Sequence, residues 1–430
     1  MGITALPWIL WRRLSNKRPV AAIRERFTGR VRVANCPKNH RRIWLHGVSV
    51  GEVQLIRTLV HELKHQACLK NQLIDCVISS STTTGLDVAT KNHESDHVFP
   101  CPLDFSWAIK QTFSRVRPDV LVLAELEIWP NLLQIAEDYG IPVVVVNGRM
   151  SERSYRGYKR LGRIAALMVQ RLTLVLSRSQ EDSDRFTDIG AQLVETTGSL
   201  KFDGNYGDEH NDKIQQIRKI TGGNRDNPVF IAGSTQDPEV SLAVETFWQQ
   251  QKTPPSLNLI LVPRHVERTR EIATWLTCRL QQPDACHVPW YYRSKLTDQA
   301  SQLSGNSFIL LVDVTGELAA WWGLATMAFV GGSLDGVRGG QNMLEPAAYG
   351  VAVCFGPYTR NFRTEVSELL KAEAAIVVHD GTELTNFVTQ CLNDPAYSTK
   401  IGTRAQKLIE KNQGGTRLTA LRILDFLPVI

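Results

Sequence analysis

The sequence predicts an α/β protein of two Rossmann-like domains with parallel sheets, facing one another across a cleft. Three observations predict it. The chain has 430 residues, too many for one ordinary domain. Short apolar runs of strand length alternate with helical stretches, twice over, as parallel sheets with helical crossovers require. A polar, glycine-bearing stretch at about residues 204–227 separates the two series. The expected division is 1–34, a basic and apolar N-terminal segment; 35–205, a first domain; 206–227, a linker; 228–405, a second domain; and 406–430, a C-terminal helical segment.

Ile3, Leu6, Trp8, Ile9, Leu10 and Trp11 precede a basic run from Arg12 to Arg32 that holds one acid, Glu25. Pro7 interrupts the apolar stretch, which is far short of the roughly 17–25 residues of a spanning helix. It suits a segment lying on a membrane, with tryptophans at headgroup level and arginines on anionic lipid. Packing onto its own domain is the other reading. The net charge of +6 is modest, and no nucleic-acid-binding motif accompanies the basic cluster, so a nucleic acid partner is not expected. Eight scattered cysteines with no C-x-x-C pair point to reduced thiols.

The first series begins with a buried strand, Ile43 to His46, a tight turn with Gly47 and Gly51, and a helix whose apolar stripe is Val53, Leu55, Ile56, Leu59, Val60 and Leu63. Glu52 therefore sits near a helix N-terminus at the C-terminal edge of a strand. That edge is where open α/β sheets bind ligands, and the helix dipole favours the charged carboxylate there. Glu52 is thus a candidate general base; the plain alternative is an acid that only complements the dipole. Further strands are expected at 73–79, 97–100, 120–124, 143–147, 172–177 and near Thr196, with helices between them. The strand at 120–124 runs into Glu125-Leu126-Glu127-Ile128-Trp129-Pro130, and the strand near Thr196 into Thr197-Gly198-Ser199-Leu200-Lys201-Phe202-Asp203. Between the strands at 143–147 and 172–177 lies a basic segment with Arg149, Arg153, Arg156, Lys159, Arg160 and Arg163. It suits either a phosphate-bearing ligand or a solvated helix face.

The second series has strands at 229–232, 257–262, 308–312, 327–330, 351–355 and 375–378, a helix at 342–349 and two terminal helices. Its strand ends carry Pro263-Arg264, Thr315-Gly316-Glu317, and a glycine-rich run from Gly331 to Gly340 that opens into Gln341-Asn342-Met343-Leu344-Glu345. Glycine loops and helix N-termini offer free N–H groups to phosphate. Arg264 adds a bidentate charge, and Glu345 can accept hydrogen bonds from ribose hydroxyls. Three converging strand ends favour a nucleotide site.

Two other motifs carry less. His61-Glu62-Leu63-Lys64-His65 matches the H-E-x-x-H zinc signature, but the apolar stripe turns both histidines to solvent. Asp182-Ser183-Asp184 has the D-x-D form of some metal-dependent glycosyltransferases, yet acids in a first helical turn need no metal to explain them.

Taken together, His46-Gly47-Val48-Ser49-Val50-Gly51-Glu52, Glu125-Leu126-Glu127-Ile128-Trp129-Pro130-Asn131, Thr197 to Asp203, Leu261-Val262-Pro263-Arg264-His265, Thr315-Gly316-Glu317-Leu318, and Phe329 to Leu334 with Gly339-Gly340-Gln341-Asn342 resemble the 3-deoxy-D-manno-octulosonic acid (Kdo) transferases of lipopolysaccharide synthesis. The likeness runs from about residue 20 to 425. It implies a GT-B fold, with CMP-Kdo as donor, a lipid A precursor as acceptor, and a place at the cytoplasmic side of the cell inner membrane. It implies Glu52 as proton acceptor, Glu125 and Lys201 as transition-state stabilisers, and Pro263, Arg264, Thr315, Gly316, Glu317, Asn342, Met343, Leu344 and Glu345 as nucleotide contacts. No metal or other cofactor is expected. Two departures stand out: Gln341 where relatives often have histidine, and an N-terminal anchor shorter than usual, which favours peripheral attachment. Another nucleotide-sugar transferase or epimerase of this fold, or a non-catalytic sugar-nucleotide-binding protein, is the alternative.

Overall fold

The computed structural model describes residues 22–93, 97–204, 212–221, 227–251, 256–282, 288–296, 303 and 307–428. The N-terminal apolar segment lies outside them, as do much of the expected linker and Cys286. The chain divides into two compact units, Met1–Asp203 with Asn412–Ile430, and Gly204–Lys411.

The first unit is one seven-stranded sheet in the order β3-β2-β1-β4-β5-β6-β7, every neighbouring pair parallel. Its strands are β1 Arg41–Gly47, β2 Ile74–Ser80, β3 Val98–Pro100, β4 Val120–Ala124, β5 Val143–Gly148, β6 Leu174–Ser177 and β7 Val194–Thr196. Val120-Leu121-Val122-Leu123-Ala124 is buried throughout, because helices cover both faces and an alternating pattern would bury polar groups. One face packs helices Val50–Leu69, Thr83–Asn92 and Gly415–Leu424. The other packs Ser106–Val116, Pro130–Asp138, Arg163–Val169 and Gln180–Asp188. Trp44 is fully buried and its Nε1 donates to Ser79 Oγ at 2.8 Å, so the largest core side chain leaves no polar atom unmet.

Strand order reverses between β1 and β4. The crevice at the carboxyl ends of those two strands is where such a sheet takes a ligand. Glu52 follows β1 and Glu125 follows β4.

The second unit is also a seven-stranded parallel sheet, β10-β11-β9-β8-β12-β13-β14. Its strands are β8 Val229–Thr235, β9 Asn258–Pro263, β10 Trp290–Tyr292, β11 Ile309–Leu311, β12 Met327–Val330, β13 Ala352–Phe355 and β14 Ile376–Val377. Its order reverses between β8 and β12, which puts Ser234-Thr235 and Gly331-Gly332-Ser333 at the ligand-binding end.

Four expectations need correction. The stretch expected as linker contains helix Asp212–Ile220, whose Ile214, Ile217 and Ile220 are buried; their three-residue spacing gives the helix one apolar face. The second unit runs to Lys411, and the last helix, Gly415–Leu424, belongs to the first unit, where Ala420, Ile423 and Leu424 pack against the Glu52 helix and its neighbours. Three helices, not two, end the chain: Gly381–Asn393, Pro395–Asn412 and Gly415–Leu424. The helix expected over 342–349 spans only Leu344–Ala348. Strand β10 gave no sequence signal; it is three aromatic residues at a sheet edge. Among the described residues no helix is long and apolar enough to cross a membrane.

Candidate active site

Helix Val50–Leu69 starts where β1 ends. Ser49 is its N-cap, and Ser49 Oγ accepts from the Glu52 amide at 3.2 Å. The Glu52 carboxylate turns back: Oε1 accepts from Ser49 Oγ at 2.8 Å and Oε2 from the Val48 amide at 2.7 Å. This is a reciprocal capping arrangement. The plain reading of Glu52 as a first-turn acid is therefore realised, and it does not compete with the chemical one. The two contacts aim the carboxylate and leave each oxygen a lone pair. Gly47 makes the arrangement possible, since a Cβ there would stand 2.9 Å from Ile56 Cδ1 and 3.1 Å from Glu52 Cβ.

Glu125 follows the last residue of β4 with φ +59°, a left-handed conformation rare for a side chain of this size. Its amide still donates to the Val146 carbonyl at 2.9 Å. Burial raises its pKa and so does the Glu52 charge; Lys201, Arg149 and Arg178 pull it down. Glu52, Glu125 and Lys201 are thus brought into one electrostatic neighbourhood. Asn147 helps to set it: also left-handed, at φ +51°, it accepts the Leu200 amide on Oδ1 at 3.2 Å and so holds the turn Leu200–Asp203 that carries Lys201.

Glu127 is a residue that sequence reasoning quoted only as part of a motif. Burial pushes its carboxyl up to about 7; the indole N–H of Trp129, at 2.8 Å, opposes the shift, and the Glu52 and Glu125 charges add to it. The E-x-E spacing after a buried strand was the available signal, since two acids at one strand end crowd like charges. His46 is wholly buried, with Nδ1 3.1 Å from the Ser79 carbonyl and 2.9 Å from Ser79 Oγ; burial lowers its pKa to about 4, so it is a neutral core residue.

In the second unit the glycine-rich loop differs from expectation. The buried carboxylate of Glu239 takes its N–H groups: Oε2 accepts from Gly332 at 2.8 Å and from Gln236 at 2.9 Å, and Oε1 from Ser333 at 3.0 Å and Leu334 at 3.2 Å. Those amides are spent on an internal anion, so the first part of the loop is a fastening across the β8–β12 crevice. Gly331 is close-packed beneath it; a Cβ there would meet Glu239 Oε2 at 2.6 Å and the Ser234 carbonyl at 2.7 Å.

Arg264 follows β9, is exposed, and donates its backbone amide to the Thr235 carbonyl at 3.0 Å. Its charge acts on Glu345, whose pKa burial raises, while Trp322 and Asn342 lower it by hydrogen bonds of 3.2 Å each. Asn342 Oδ1 accepts the Leu344 amide at 3.2 Å. Thr235 Oγ1 is buried at the same strand ends without a partner among the described residues. Pro263, Met343 and Leu344 are buried, so their side chains serve the core. Thr315 and Gly316 are exposed, whereas Glu317 is held by Arg293 through contacts of 3.0 and 3.1 Å.

The two lesser motifs resolve as structure. His61 and His65 are exposed, and among the described residues no group of three or more His, Cys, Asp or Glu gathers at a possible metal position. Asp182 is buried, accepting the Met150 amide at 2.8 Å and Ser179 Oγ at 2.8 Å, and pairing with Arg178 at 3.0 Å.

Residues 21–204 match the family profile described as 3-deoxy-D-manno-octulosonic-acid transferase (kdotransferase). A bifunctional glycosyltransferase/methyltransferase of Fusobacterium nucleatum is 31% identical over 395 residues, 90% of this chain and 57% of that protein, so the chain spans little more than half of that relative. A 3-deoxy-D-manno-octulosonic acid transferase of Haemophilus influenzae is 29% identical over 399 residues, 92% of this chain and 88% of its own. Among solved structures, a UDP-GlcNAc 2-epimerase from Neisseria meningitidis bound to UDP-GlcNAc superposes with a TM-score of 0.54 at 12% identity, covering 90% of this chain and 99% of its own. That likeness speaks of the fold alone, which is of the GT-B class.

Proposed function

We propose, from the match of residues 21–204 to the 3-deoxy-D-manno-octulosonic-acid transferase profile and from relatives of that name 27–29% identical over most of the chain, that the chain is such a transferase and moves Kdo from CMP-Kdo to a hydroxyl of a lipid A precursor at the cytoplasmic side of the inner membrane. In this reading the acceptor oxygen attacks the anomeric carbon of Kdo and the bond from that carbon to the CMP phosphate oxygen breaks. The proton of the acceptor hydroxyl passes to Glu52, and CMP leaves.

The observation that carries the reading is the fixed Glu52 carboxylate at the carboxyl end of β1, beside Glu125 from β4. A positioned base contributes typically about 10²–10⁴ in rate. Negative charge from Glu125 suits an anomeric carbon with oxocarbenium character, and Lys201 offsets like-charge crowding. Nucleotide binding is assigned to the second unit, with exposed Arg264 meeting the donor phosphate and Asn342 and Glu345 the sugar hydroxyls. The leaving group is a phosphate ester already good enough that cationic side chains and N–H groups suffice to stabilise it, so no metal is assigned.

Incubation with CMP-Kdo and a tetra-acylated lipid A precursor, followed by mass spectrometry, tests the proposal. A product heavier by one or more Kdo residues is expected, and the number added is read from the same spectrum. CMP release without a glycosylated product, or no turnover, refutes it.

A further inference from the structure

After β5 the chain forms two short helices, Glu152–Leu161 and Arg163–Val169, joined at Gly162. Their inner side is spoken for. Ala165 and Val169 are buried, and Tyr155, Tyr158 and Met168 pack on the core. Tyr155 and Lys159 both bind Asp188, the lysine at 2.6 Å, and Arg156 pairs with Glu152 at 2.8 Å.

The outer side has no such explanation. Leu161, Ile164 and Leu167 are 52%, 63% and 59% exposed within seven residues at the junction of the two helices, an unusual concentration of large aliphatic side chains. Around them Arg153, Arg160 and Arg163 are exposed, and among the described residues none makes an ion pair or side-chain hydrogen bond. The cations that fasten the hairpin are paired; those beside the apolar residues are not.

We propose that this face, Leu161, Ile164 and Leu167 with Arg153, Arg160 and Arg163, docks on an anionic lipid bilayer. Aliphatic side chains enter the headgroup boundary while guanidinium groups meet lipid phosphates, the composition of an interfacial element. Each basic side chain near such a surface contributes on its own. A second copy of the chain is a poor occupant, because a twofold contact would set like charges against each other. The surface also has a use. Tyr158, on the inner side of the same helix, is close enough to feel the Glu127 charge, so docking here brings the acidic cluster to the bilayer. The inference rests on the reading of the acceptor as a membrane lipid, and supplies the surface through which it is reached.

Flotation of the full chain with vesicles tests it, comparing phosphatidylcholine alone with an equal mixture of phosphatidylcholine and phosphatidylglycerol. The wild type should float with the anionic vesicles and be released by high salt. Ile164→Asn with Leu167→Asn should lower partitioning at least about tenfold, with unchanged thermal unfolding and unchanged transfer to detergent-dispersed acceptor. Leu69→Asn, equally exposed elsewhere on the unit, should bind as wild type. Wild-type binding by the double variant overturns the proposal, as does a dimer in light scattering that the variant abolishes. If the wild type itself ignores anionic vesicles, membrane docking falls, while Kdo transfer in detergent leaves the proposed reaction standing.

Discussion

Glu52 Oε2 accepts a hydrogen bond from the Val48 amide at 2.7 Å, four residues back across the first turn of its own helix. The contact fixes where the carboxylate points, and it disappears if the side chain is shortened. Glu52→Gln keeps the length and an acceptor oxygen but removes the base. We expect transfer to drop by about 10²–10⁴ with CMP-Kdo binding retained, measured by product formation and by calorimetry. A variant with near wild-type transfer removes Glu52 from the reaction.

Gly47→Ala tests the same geometry without touching the carboxylate. The added methyl meets Ile56 Cδ1 at 2.9 Å and Glu52 Cβ at 3.1 Å, so the helix start must shift by a few tenths of an ångström. The expected result is a lower kcat, with donor affinity within about twofold of wild type because the donor is assigned to the other unit. An unchanged kcat means that the alignment of Glu52 is not critical.

Glu127 gives a pH signature. Its carboxyl titrates near its ordinary value of about 4.3 in the unfolded chain but about 7 when folded. Between those values the folded state holds the proton more tightly, so stability falls as pH rises through the window, and the loss is complete above 7. Glu127→Gln should therefore have a melting temperature close to wild type at pH 5 and above it at pH 8. His46 acts in the opposite sense: with its folded pKa lowered to about 4, it withdraws stability as pH falls below about 6.5. That contribution cancels when the variant is compared with wild type at each pH. A gap that does not widen with pH would falsify the assignment.

Glu239→Ala leaves the amides of Gln236, Gly332, Ser333 and Leu334 without their acceptor. Buried unsatisfied donors cost roughly 1–3 kcal/mol each. Allowing for partial collapse and water entry, the second unit should lose at least about 2 kcal/mol in urea unfolding followed by a probe in that unit. A loss below 0.5 kcal/mol, on the order of an ordinary surface change, would show that the loop finds other partners.

Arg264→Ala should weaken CMP binding about tenfold or more, as expected for a charged contact to phosphate, and Arg264→Lys should recover only part of it. Turnover should also survive a chelator. Loss of activity in EDTA, restored by a divalent ion, would put a metal into the reaction.

Much of the fold was legible because parallel strands buried on both faces read as unbroken apolar runs: Val120–Ala124 and Met327–Val330 end where the sequence says they end. Helix Asp212–Ile220 was not, since its three isoleucines are diluted by lysines and glutamines in a stretch whose overall composition is that of a linker. The same limit applies to the sites. Glu52 was visible as an acid at a strand end, but its grip on Val48 requires a backbone turn that the residue types do not specify. The glycine loop was read as free N–H groups, and Glu239, nearly a hundred residues earlier, had already claimed those of Gly332, Ser333 and Leu334. What local sequence cannot reveal is a partner brought by the sheet from a distant segment.

Asp203 closes the first unit on itself. Its carboxylate accepts the Gly414 amide at 2.6 Å and the Thr416 amide at 2.5 Å, joining the point where the chain leaves that unit to the point where it returns. During synthesis, then, the unit begun first is finished second. The whole of Gly204–Lys411 emerges from the ribosome before helix Gly415–Leu424 can settle against the helix that bears Glu52. Until it does, the proposed base stands on an element that lacks part of its own packing, and a nascent chain can complete its second unit before its first.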